Sequence, residues 1–209
     1  NHITNTTVIH NGIDVASWTP NESAVHTFKE THHLYNRKIV LFGGRLSTDK
    51  VTTPLRHTIL KLRKSVPNIL LLVVGDQKRW NNCIQSAGVQ ENLNDSVRCI
   101  GWLNANDMKT AYFASDLVTV PSLCLDCFPQ TNLEAMAAAK PVVGTIFGGT
   151  KEAVVDNVTG FVVDPRNTDL FAHKLHTLLT NSTLAKQMGE TGRKRVIEKF
   201  SLHEQVQKY

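Results

Sequence analysis

From residue 37 onward, short runs of apolar side chains alternate with stretches in which apolar positions recur three or four residues apart. "KIVLFGG" (38–44) reads as a buried strand closed by two glycines. Leu55, Ile59, Leu62 and Val66 follow at helical spacing, with Pro54 tolerated in the first turn. "NILLLVVGD" (68–76) is apolar at nearly every position, the pattern of a strand covered on both faces. Residues 79–87 read as helix, "SVRCIG" (96–101) as strand and 105–114 as helix. "DLVTVPS" (116–122), "KPVVGTI" (140–146) and "TGFVVD" (159–164) complete the strands, with helices over 132–139 and 150–155. The tail is helical at 170–179, 183–199 and 202–208. Repeated strand–helix–strand order predicts parallel pairing with right-handed crossovers, hence an α/β fold with a Rossmann-like, doubly wound parallel sheet. Such sheets bind ligands beyond the carboxyl ends of their strands, where the strand order reverses. The loops that follow strands are therefore the informative ones: "GGRLSTDK", "VVGDQK", "CIGW", "VPSLCLDCFPQT" and "TIFGGTKE".

Composition narrows this picture. The chain has 209 residues, 41% hydrophobic and 20% charged, which suits a globular protein and excludes a disordered one. The longest apolar run, near Ile69–Val74, is far short of the roughly 18 residues that cross a bilayer. The opening "NHITNTTVIHNGID" lacks the basic flank and apolar stretch of a signal peptide, so the five Asn-x-Ser/Thr sequons (Asn5, Asn21, Asn94, Asn157, Asn181) read as products of composition. The net charge of +5 is scattered. Its densest run, "GRKRV" (192–196), sits between Glu190 and Glu198 on an expected helix, a solvated face rather than a nucleic-acid surface.

Cys124-Leu-Asp-Cys127 invites a metal or redox reading, set against one in which the neighbouring carboxylates carry the chemistry. Cys83 and Cys99 stand alone, so no second pair completes a zinc set, and a buried thiol is the expectation for each cysteine. Arg45 and Lys50 offer a planar fork and a point charge a few residues apart, which suits a diphosphate and equally suits a solvated loop. Asp126 can accept hydrogen bonds from two hydroxyls, as sugars present them. Thr131-Asn-Leu-Glu134 fits a capping box, while Glu134 also suits a ribose diol. The start of that helix suits a phosphate.

In order, "GGRLSTDK", "LLLVVGD", "VRCIGWL", "ASDLVTVPS", "DCFPQTNLEAMAAAKPVV", "GGTKEAVVDNVTGFVVDP" and "MGETGRKRVIEKFS" resemble the C-terminal, nucleotide-sugar-binding half of a GT-B retaining glycosyltransferase of the family 4-like, group 1 kind. The resemblance begins at "VIHNGID" (8–14) and covers nearly the whole chain. It implies a single donor-binding domain over 1–209, with 1–36 as lead-in and linker, 180–209 as terminal helices, and an absent N-terminal acceptor domain. By matching position, Arg45 and Lys50 would neutralise the donor diphosphate. Asp126 would hold hydroxyls of the transferred sugar, completing the expected catalytic set. Glu134 would hold the ribose. Phe128, Pro129, Gln130 and Thr131, with Gly148 and Gly149, would approach the sugar and phosphates, Ile100 would lie by the base, and Gly44 and Gly75 would belong to the same donor-binding set.

Three positions depart from the family pattern. Asp126 stands in place of glutamate, Pro129 in place of glycine, and Val51 follows Lys50 where glycine is usual. The implied reaction transfers a hexosyl group from a UDP or GDP sugar to an acceptor hydroxyl of a glycan or lipid, as in polysaccharide synthesis. It needs no metal and no cofactor. The implied setting is cytoplasmic, with peripheral membrane association of the full protein, and the isolated half is expected to bind donor without turnover. Rival readings are a non-catalytic nucleotide-sugar module and a GT-B epimerase. A nicotinamide dehydrogenase would need a G-x-G-x-x-G turn that "GGRLSTDK" lacks.

Overall fold

A computed structural model describes residues 7–44, 53–86 (83–86 by backbone alone), 93 and 95–208. The described strands are β1 (Lys38–Gly43), β2 (Ile69–Val74), β3 (Val97–Cys99), β4 (Leu117–Val120), β5 (Val142–Thr145) and β6 (Gly160–Val163). They form one sheet in the order β3-β2-β1-β4-β5-β6, with every neighbouring pair parallel. The chain winds outward from β1 to β3, then returns to the other side of β1 with β4. The order therefore reverses between β1 and β4, where the loops leaving those strands part and open a crevice.

Both faces of the sheet are covered, which explains why β2 is buried along its whole length. Because successive side chains point to opposite faces, the strands feed two separate cores. Val40, Phe42, Leu71 and Val73 pack with Leu55 and Ile59 of helix α2 (Thr53–Leu62) and Phe171 and Leu175 of α7 (Thr168–Thr180). Ile39, Leu41, Leu70 and Leu72 pack on the other side with Tyr112 of α4 (Ala105–Ala114) and Leu133 and Met136 of α5 (Gln130–Ala137). Helices α3 (Gln77–Ser86), α6 (Thr150–Ala153) and α9 (Leu202–Gln207) are shorter or peripheral, and α8 (Ser182–Lys199) packs along α5. That last contact is close. A Cβ at Gly189 would lie 2.0 Å from the Ala139 carbonyl oxygen, and one at Gly192 3.3 Å from Met136 Cγ. Ala139 itself turns the chain out of α5 in the left-handed region, at φ 54°.

Three expectations shift. The segment before residue 37 is more than a lead-in: it carries helix α1 (Glu22–Thr31), capped where Asn21 Oδ1 accepts the Ala24 N–H at 3.0 Å. It also places Val15, Trp18, Phe28 and Leu34 in the core. The helix expected over 132–139 starts at Gln130, because Pro129, at φ −63°, serves as its N-cap. The three described thiols are not buried as expected: Cys127 is exposed, and Cys124 and Cys99 are partly exposed, while the Cys83 side chain lies outside the described residues. Among the described residues, no helix is long and apolar enough to cross a membrane.

Candidate functional site

Parallel strands bring all their carboxyl ends to one edge of the sheet, so the loops singled out in the sequence emerge side by side. Gly44 N–H donates to the Val74 carbonyl at 3.2 Å, Gly75 N–H to Gly101 at 3.0 Å, and Ile100 N–H to Val73 at 3.0 Å. Gly44, Gly75 and Ile100 thus line the ends of β1, β2 and β3 in register. Gly44 and Gly101 hold positive φ, 149° and 78°, which favours glycine at both turns. Burial pushes the Cys99 thiol up, and its sulfur sits 3.7 Å from the Gly75 carbonyl. Arg45 and Lys50 lie outside the described residues.

Across the crevice, the loop after β4 carries Asp126, whose side chain is exposed. Its Oδ1 accepts the Phe128 N–H at 3.3 Å, and its carbonyl accepts the Gly149 N–H at 2.8 Å. The second bond joins this loop to the turn after β5. Gly148 has φ 63°, and a Cβ there would sit 2.2 Å from the Asp126 carbonyl oxygen, while one at Gly149 would sit 1.9 Å from that of Cys127. The two glycines are therefore required, first of all, by the backbone of the Asp126 loop lying against them. The loop and the turn form one unit.

Helix α5 begins at the end of that loop with no side-chain cap. Of the two readings of Thr131-Asn-Leu-Glu134, the capping box does not form: with Pro129 as N-cap, Thr131 is already inside the first turn and its hydroxyl cannot cap. Pro129 lacks an N–H that a helix start leaves unused in any case, and its carbonyl accepts the Asn132 N–H at 3.1 Å. Gln130 is exposed and Thr131 half-buried. Asn132 is fully buried, and its Nδ2 donates to Thr150 Oγ1 at 3.2 Å, tying α5 to α6. Its Oδ1 is buried without a partner.

Instead of joining a cap, Glu134 accepts the Tyr112 hydroxyl on Oε2 at 2.6 Å, a charge-assisted distance. Tyr112 is fully buried, with its ring edge-on to Trp18 at 5.4 Å. Burial, and after it the facing Glu134 carboxylate, hold its phenol well above the usual 10. Tyr112 and Trp18 carry no motif in the sequence. The Tyr112–Glu134 pair arises from α4 packing beside α5, and only the helical register of 105–114 hints at it. Among the described residues, no three His, Cys, Asp or Glu side chains gather as a metal-ligand set.

Residues 26–195 match the protein family described as "Glycosyl transferases group 1". The chain is 27% identical, over 94% of its length and 51% of the relative's, to putative glycosyltransferase YtcC of Bacillus subtilis (strain 168). It is 30% identical, over 82% of its length and 46% of the relative's, to lipopolysaccharide 1,2-N-acetylglucosaminetransferase of Salmonella typhimurium. It thus spans about half the length of the curated relatives it matches. In fold it is similar to Anabaena Alr3699/HepE, solved in complex with UDP-glucose, with a TM-score of 0.86 and 23% identity over 97% of this chain and 55% of that one.

Proposed function

The chain belongs to the group 1 glycosyl transferases and has the Rossmann-like sheet of a GT-B half, and from this we propose that it binds the nucleoside diphosphate sugar of a retaining hexosyltransferase. In the reaction, the bond from the anomeric carbon to the β-phosphate oxygen breaks. The acceptor hydroxyl oxygen bonds to the same carbon with configuration retained, and a nucleoside diphosphate and a proton leave. The acceptor, a glycan or lipid, is bound by the part of the full protein that corresponds to the other half of the relatives. Cytoplasmic action, peripheral membrane association and a role in polysaccharide synthesis belong to the same proposal.

One observation carries this reading most directly. The Asp126 loop, the uncapped start of α5 and the Gly148–Gly149 turn meet at the edge where the strand order reverses, in a chain that matches the family across these positions. The free N–H groups at the start of α5 suit the diphosphate, joined by Arg45 and Lys50, so that leaving-group charge is met without a metal. Asp126 faces solvent and is available to sugar hydroxyls. Glu134, oriented by Tyr112, takes the ribose diol, while Gly44, Gly75 and Ile100 border the base.

The test is calorimetric titration with UDP, GDP, ADP and their glucose or mannose derivatives, repeated for Arg45→Ala, Asp126→Ala and Glu134→Ala. One nucleotide class is expected to bind. At one hundred times its Kd it would stabilise the chain by about 2.7 kcal/mol. Asp126→Ala weakens the sugar nucleotide more than the bare nucleotide, whereas Asp126→Glu retains it. No binding by any of these nucleotides or nucleotide sugars, or variants indistinguishable from wild type, removes the basis for the assignment.

A further inference from the structure

Behind the Asp126 loop, three segments remote in sequence meet in an aromatic cluster. The His10 ring lies 4.8 Å from that of Phe128 and 5.6 Å from that of Phe200, and Phe128 lies 5.4 Å from Phe200. His10 Nε2 is 2.8 Å from Glu152 Oε2 on α6. Phe200 is itself fixed: its carbonyl accepts the Ile13 N–H at 2.8 Å, and the Arg195 guanidinium lies over its ring at 5.3 Å. Arg195 also donates to the carbonyls of Ala153 and Glu152, each at 2.8 Å, so the cluster is braced against α6 from both sides.

Phe128 is where this cluster reaches the site. Its N–H donates to the Asp126 carboxylate, while the side chains of residues 125–127 face solvent and offer little packing of their own. The loop is therefore anchored by its backbone bond to Gly149 and by the Phe128 ring. His10 contributes what a phenyl group in its place would not. The Nε2–H edge donates a hydrogen bond to the Glu152 carboxylate, which sets the ring plane, and the ring then forms a wall against Phe128.

We propose that His10 is a positioning residue for the donor site. Through Glu152 and Phe128 it sets where the Asp126 carboxylate points, and it couples residues 7–14 to the sugar end of the ligand. Only the naming of that ligand rests on the function proposed above. The placement of the loop does not.

The experiment compares the 209-residue chain with His10→Ala and His10→Phe, reading backbone amide resonances together with the affinities for UDP and UDP-glucose. In His10→Ala the amides of Asp126, Phe128 and Gly149 are expected to move while those of Gly44 and Gly75 stay. UDP-glucose affinity falls by about tenfold, the size of one aromatic contact, and UDP affinity falls much less. His10→Phe, which keeps the wall and loses the Glu152 bond, gives an intermediate loss. Unmoved resonances at 126–128 overturn the proposal, as does an equal loss for UDP and UDP-glucose. If wild type binds neither probe, the donor reading fails instead, and the resonances alone decide the role of His10.

Discussion

Tyr112→Phe removes one oxygen atom and tests how the carboxylate of Glu134 is held. The hydroxyl is fully buried and donates at 2.6 Å to a carboxylate oxygen. Glu134 is only half-buried, so water replaces part of the lost bond, and the lower part of the range for hydrogen bonds to charged groups applies, about 1.5–2 kcal/mol. For a chain of this size that corresponds to a fall in Tm of roughly 3–8 °C. The pH dependence has a definite sign. Burial and the Glu134 carboxylate raise the phenol above its ordinary value of 10, so its stabilising contribution is complete below pH 10 and is lost as pH rises above that value, where the unfolded chain ionises first. The gap between wild type and Tyr112→Phe should hold constant from neutral pH to about 9 and close at higher pH. Circular-dichroism melts of wild type, Tyr112→Phe, Glu134→Ala and the double variant would measure it. A gap below about 0.5 kcal/mol, a gap that ignores pH, or strictly additive single variants would refute the reasoning.

Gly149→Ala forces a methyl group to within 1.9 Å of the Cys127 carbonyl oxygen and strains the bond to Asp126, so a loss of about 2–3 kcal/mol is expected in urea unfolding. Cys124→Ser with Cys127→Ser should leave nucleotide affinity unchanged in calorimetry, because the two thiols, one partly exposed and one exposed, flank Asp126 without supporting it; a loss would return the chemistry to the cysteines. The hydrogen bonds from Arg166 lower the Asp164 carboxyl below 3.8, giving stability that is present above that pH and lost as pH falls through the lowered value. Acid titrations of wild type and Arg166→Ala should therefore diverge above pH 4 and converge toward pH 2.

What could be read in the sequence followed from how local the cause was. β2 was legible because its own six residues are all buried, and the order of elements then implied parallel pairing. Helix α1 was not: only Phe28 is buried along it, and its cap, Asn21, also begins a sequon. The positions of Asp126 and Gly148–Gly149 at one sheet edge followed from the loops that carry them. Their mutual locking did not, since it depends on two backbones 23 residues apart coming into contact. The capping box was misleading for a local reason, as Pro129 starts the helix two residues early. Tyr112 and His10 were invisible, because each acts through a partner set by tertiary packing, 22 residues away for Tyr112 and 142 for His10.

Helix α5 has its two ends committed to different tasks, Pro129 opening onto the Asp126 loop and Ala139 pressed against Gly189 of α8. A side chain at position 189 has no room there and would push the whole helix along or away from the sheet, carrying Glu134 with it. In a library of random variants scored by activity, substitutions at Gly189 will therefore group with those at Glu134, although Gly189 lies on a different helix, α8. A sensitivity map of this protein will extend well into the tail, and its outline will trace a rigid helix rather than the footprint of a ligand.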